Sequence, residues 1–149
     1  QEEDVMKPIR RREAVASVVA LVALLGAAVG PARAAESVGT QNPDLSVAVR
    51  VTPNCSVPGS SQTRYFAVKN NTSKGQKVAV EWNVSRPDGN HTITYRVTIA
   101  PGGTWVKEDR TVTLAPNCPL GTWTESLSAT NRRGTSSAAV TYVLASSCG

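Results

Sequence analysis

The side chains best suited to covalent or metal chemistry in this 149-residue sequence are three cysteines, Cys55, Cys118 and Cys148, and one histidine, His91. A cysteine nucleophile needs a nearby histidine to generate its thiolate, so Cys–His catalysis would have to recruit His91. A serine hydrolase would need the same residue, and no G-x-S-x-G elbow occurs. The spacing contains no C-x-x-C and matches no compact zinc module, so no metal or cofactor site is expected. Glu108 and Asp109 are adjacent, and in a strand they would point to opposite faces, which suits paired-carboxylate chemistry poorly. The remaining role for cysteines is a disulfide, and that depends on compartment.

The N-terminal third reads as an address. Met6 is followed by "KPIRRR", then by a 16-residue apolar run from Ala14 to Val29, then by "PARA". A basic stretch, a short apolar core and a small-x-small site describe a secretory signal peptide cut after Ala34. The run is shorter than the roughly 20 residues a spanning helix needs. The expected organisation is an upstream extension and signal peptide over 1–34, a short linker over 35–43 and one β domain over 44–149. Removing five basic and four acidic residues with the signal leaves 11 against 7, a net charge of +4. That balance permits attraction to anionic polymers but falls short of a dedicated nucleic-acid binder. After signal cleavage no membrane association is expected.

The exported part alternates apolar and polar residues at the period of half-buried strands. Leu45, Val47, Val49 and Val51 form one such row; Val78, Val80, Trp82 and Val84 form another; Ile93, Tyr95, Val97 and Ile99 a third. Turn clusters cut the chain into seven strands, which points to a two-sheet sandwich. "RPDGN" predicts a hairpin with Trp82 opposite Tyr95 and Val80 opposite Val97. "NRRG" predicts a second, with Trp123 near Tyr142 and Leu127 near Ala138. Antiparallel pairing of the third and fourth strands favours the fibronectin-like division into three strands and four. One residue resists the pattern: Glu125 shares a face with Trp123, Leu127 and Ala129. A carboxylate in a core is costly unless paired, so an exposed face or a bulge in this strand is the expected explanation, with a buried, pKa-raised acid as the alternative.

An up-and-down path gathers the turns at two ends. Cys55, Cys118 and Cys148 fall at one end. There the register of the last hairpin sets Cys118 almost opposite Cys148, so a Cys118–Cys148 bridge is the first expectation and Cys55–Cys118 the second. Cys55 is then a free or alternatively paired thiol. The other end collects Lys74, Lys77, Arg132 and Arg133 with no acid in its turns, and Trp105 beside them. This is the candidate binding surface: cations for an anionic polymer and an indole for a sugar face, with solvation and core packing as the plainer roles. Formal glycosylation sequons at Asn54, Asn70, Asn71, Asn83 and Asn90 read as strand and turn composition.

"PDLSVAVRVTPN", "VPG", "VKNNT", "VTIAPGGTW" and "PLGTWTESLSAT" follow in order from about residue 43 to residue 144. Together they resemble the bacterial cell-adhesion-related domain and related immunoglobulin-like sandwich modules of secreted proteins. The cysteines lie outside that pattern. The resemblance implies an immunoglobulin-like fold and a non-catalytic role. The expected function is thus an exported binding module for a cell-wall polymer, glycan or surface protein. The alternative is a small secreted effector or inhibitor presenting a loop such as "SRPDGNHT".

Overall fold

The computed structural model describes residues 33–149. The predicted signal peptide therefore lies outside the described residues, apart from Arg33 and Ala34. Among the described residues there is no helix, and none long and apolar enough to cross a membrane. The chain forms two packed sheets. One is antiparallel, with β1 (Ala35–Gly39), β2 (Leu45–Thr52), β4 (Ser61–Asn70) and β7 (Thr104–Thr113) side by side in that order. The other holds β3 (Cys55–Ser56), β9 (Gly134–Leu144), β8 (Gly121–Asn131), β5 (Gln76–Arg86) and β6 (Gly89–Ile99).

The described strands therefore number nine, not the expected seven. The two additions are β1, in the stretch expected to be a linker, and β3. Neither has a readable alternation, because five and two residues give too few repeats. β1 pairs with β2 from Ala35↔Val51 to Gly39↔Val47 and lies against β9. The approach is so close at Gly39 that a Cβ there would meet the Ser137 carbonyl oxygen, so only glycine fits. β3 lies parallel to β9, with Cys55 opposite Val143.

Inward residues of both sheets make the core: Val47, Val49, Phe66, Val80, Leu127 and Val140 are all buried. Each such side chain contributes about 1.5–3 kcal/mol on burial. The β8–β9 hairpin has the expected register, with Trp123↔Tyr142 and Leu127↔Ala138. The β5–β6 hairpin does not: Trp82 faces Ile93 and Val80 faces Tyr95. Arg86 pairs with Gly89, so the turn is only Pro87–Asp88, one residue earlier than the centre of "RPDGN" suggests. The slip is two residues, which leaves every side chain on its expected face.

The expected Cys118–Cys148 bridge is absent. Cys55 is bonded to Cys148, with Cα atoms 5.8 Å apart, and Cys118 is free. The reason lies in the strand ends. The β8–β9 ladder stops at Gly121↔Leu144, so Cys118 sits in a turn beyond it, its N–H donating to the Ala115 carbonyl. The end of β9 instead runs beside β3, where the Val143 and Ala145 N–H groups donate to the Asn54 and Ser56 carbonyls. That contact carries the tail to Cys55.

Candidate functional site: a cleft beside strand β7

On one side β1 closes the sandwich against β9. On the other, between β7 and the β5–β6 hairpin, closure is uneven. Toward the glycine-rich turn, Tyr95 of β6 and Trp105 of β7 meet with ring centroids 5.2 Å apart. Toward the cysteine end the sheets leave a cleft of about 560 Å³.

Its floor is built from alternation. In β4, Gln62, Arg64, Phe66 and Val68 share the inward face, so Arg64 enters the interior as Phe66 and Val68 do. In β8, Glu125 enters with Leu127 and Ala129 and is 1% exposed. The exposed-face explanation for Glu125 is thereby overturned, and β8 pairs without a bulge. The carboxylate is compensated instead. Arg64 Nη2 donates to both its oxygens at 2.5 and 2.6 Å, Tyr142 Oη donates at 2.5 Å, and Trp82 Nε1 donates at 2.9 Å. Arg64 also donates from Nη1 to Gln62 Oε1 and from Nε to Glu108 Oε1, both at 2.8 Å. Burial would lower the pKa of the guanidinium, but Glu125 outweighs it and holds Arg64 above its usual range. Burial, reinforced by the Glu125 charge, pushes the Tyr142 phenol up.

A bulge supplies the next two groups. Phe66 pairs with Glu108 and Ala67 with Val106, leaving Lys107 as the extra residue. A bulge puts neighbouring side chains on one face and re-aims them. Lys107 and Glu108 both turn inward, with side chains 10% and 8% exposed. Lys107 Nζ lies 3.5 Å from the Trp82 ring centroid and 3.7 Å from Glu108 Oε1. Burial lowers its pKa, and Glu108 only partly restores it. Glu108 also accepts from Arg110 Nε at 3.0 Å. Burial alone would raise its carboxyl, but the Arg64 hydrogen bond and charge hold it below the usual carboxylate range.

Around this floor stand Val84, Ile93, Val112 and Leu114, with Cys118 and Trp123 at one end. Arg86 spans the hairpin lip: its guanidinium lies 5.5 Å from the Trp123 ring centroid, Nε is 3.1 Å from Asp88, and Nη2 is 2.9 Å from His91 Nε2. Cys118 and His91 thus border the same cleft, but the His91 Nε2 atom faces Arg86. The floor groups bond one another, which fixes their positions.

The expected basic end is only partly assembled. Lys74, Arg132 and Arg133 border one hollow of about 220 Å³, and Lys77 borders another of about 490 Å³ with Arg96 and Arg132. The hollow with Lys74 also contains an acid, Asp44, whose Oδ1 is 3.6 Å from Arg133 Nη1. Asp44 is fixed there because its Oδ2 accepts from Asn131 Nδ2. Trp105 belongs to neither hollow; it packs on the core and on Tyr95. The residues that sequence reading misses are Arg64 and Lys107; Trp82 is legible there only as part of a strand's inward row. Their signal was parity. Arg64 has the parity of Phe66 and Val68, and the inward parity of the fifth predicted strand changes from odd at Trp105 to even at Val112 and Leu114, which requires a bulge between them.

No family model matches the sequence, and no curated protein matches it. Several solved structures are similar in part. The Pseudomonas fluorescens alkylpurine DNA glycosylase AlkC, bound to DNA containing an abasic site analog, is 14% identical with a TM-score of 0.44, over 63% of this chain and 28% of that one. Bacteroides uniformis β-glucuronidase 2 is 12% identical with a TM-score of 0.43, over 74% of this chain and 13% of that one. The sporulation control protein Spo0M of Bacillus subtilis is 14% identical with a TM-score of 0.36, over 78% and 50%. The chain spans half or less of each of these proteins.

Proposed function

We propose that the protein is an exported, non-catalytic binding module of the immunoglobulin-like, fibronectin-like sandwich class, and that its ligand seat is the cleft beside β7. The strand order supports the class: without β1 and β3, three strands (β2, β4, β7) pack on four (β9, β8, β5, β6). The Cys55–Cys148 disulfide and the signal-like N-terminal sequence support export. The observation that carries the binding role is the cleft itself. Its floor groups bond one another, and its size lies within the range of small-ligand sites. The partner class is an envelope component: a cell-wall polymer, a glycan or a surface protein.

Retention on cell-wall and polysaccharide fractions tests this. Arg86→Ala with Arg110→Ala removes two cations at the mouth of the cleft; Lys74→Ala with Arg132→Ala and Arg133→Ala clears the other end. Retention should fall at least about tenfold with the first pair, as loss of charged hydrogen-bonding groups does, and hold with the second set. Loss only with the second set moves the seat to the basic end. No retention on any fraction removes the envelope reading. A second reading, an effector or inhibitor that presents the Ser85–Thr92 hairpin, is favoured by one feature: that hairpin is largely exposed and forms the lip of the cleft. Capture of a single protein by wild type but not by Asp88→Ala with His91→Ala would establish it.

A further inference from the structure

The cleft has a charge imbalance that its own residues do not remove. Arg64, Arg86, Lys107 and Arg110 line it, against Glu108 and Glu125. Asp88 serves Arg86 at the lip, and Glu125 is taken by Arg64. Glu108 is shared among Arg64, Arg110 and Lys107. One cation is left in excess, and the geometry singles out Lys107, because the Glu108 oxygen nearest to it already accepts from Arg64. Its depressed pKa agrees with a charge that burial penalises. The indoles offer no open face for a sugar on the sides where Lys107 covers Trp82 and Arg86 covers Trp123. Val84, Ile93, Val112 and Leu114 give the wall an aliphatic stretch, and Ile93 is 43% exposed.

Building on the cleft as the ligand seat, we infer that the group it takes, free or borne by an envelope component, is an apolar carboxylate, with the anionic head at Lys107 and an acyl or aromatic body along Ile93, Val112 and Leu114. The head supplies the missing countercharge in a half-buried site, where a charge-assisted hydrogen bond is strong. The body covers exposed apolar surface.

Octanoate and octan-1-ol are the probes, since they differ in the head alone. Binding is read by tryptophan fluorescence and by protection of Cys118, the free thiol on the cleft wall, from iodoacetamide. Octanoate should bind one site and slow alkylation of Cys118, and octan-1-ol should bind at least about tenfold more weakly. Lys107→Met should bring octanoate down to the level of the alcohol, and Lys107→Arg should retain it. Equal binding of acid and alcohol to the wild type overturns the inference without any variant. So does octanoate affinity unchanged by Lys107→Met, or no protection of Cys118 at millimolar octanoate. Protection by octanoate without retention on envelope fractions would remove only the envelope reading; retention without protection would remove only this one.

Discussion

Arg64 and Glu125 are 61 positions apart in sequence and meet across the sandwich with two hydrogen bonds from a single guanidinium nitrogen. Breaking a buried pair by removing one partner leaves the other charge uncompensated and costs about 3–5 kcal/mol, whereas replacing both with apolar groups costs far less. Arg64→Met should therefore destabilise the protein by that amount, and adding Glu125→Leu should recover part of the loss. Urea unfolding of both singles and the double gives the coupling energy; additive losses would mean that the two charges do not depend on each other. Glu125's inward position was legible from the alternation of Trp123, Leu127 and Ala129. Its partner is not legible, because periodicity along one strand carries no information about which strand faces it. An exposed face does not relieve the carboxylate; its four hydrogen bonds do.

Strand β7 shows what an element can do that its residues cannot do singly. One extra residue at Lys107 lets Trp105 pack the closed half of the sandwich while Glu108, Val112 and Leu114 line the open half. Deleting Lys107 would force one side of the strand to reverse its faces. Either Trp105 leaves the core or Glu108 leaves Arg64, and the loss should be at least about 3 kcal/mol, comparable to truncating a buried aromatic. Thermal unfolding of the deletion variant measures it; a melting temperature near that of wild type would show that the bulge merely relocates. At this scale the sequence was a good guide to long elements. The β8–β9 register and the faces of β5 and β6 were readable, and the two-residue slip at Pro87–Asp88 harmed neither face. The bulge was readable only by comparing parity at the two ends of the strand.

For the whole molecule, the decisive contact is the one between β3 and β9. The turn pattern gathers all three cysteines at one end, but a two-residue strand has no period, so the sequence does not show that Cys55 lies beside the tail, whereas the register of the last hairpin is readable and favours Cys118. A bridge between residues 93 apart should stabilise the fold by about 4–5 kcal/mol through loop closure. A non-reducing peptide map with prior alkylation should find Cys55 linked to Cys148 and only Cys118 modified. Denaturant unfolding with and without reductant should then differ by that amount; equal midpoints would mean that the reduced denatured chain is already restrained.

The same bridge governs how the molecule bears tension. Pulled between Ala35 and Gly149, the load enters at Cys148, crosses to Cys55 and runs into β2, so that strands β4 to β9 lie on a bypassed ring. Only the roughly 20 residues before Cys55 can lengthen, about 70 Å of extended chain. β1 and β2 would peel from the sheet while the cleft, lined entirely from inside the ring, keeps its walls. Tension applied at both of these points would thus be borne by β1 and β2, and the proposed ligand seat would stay outside the load path.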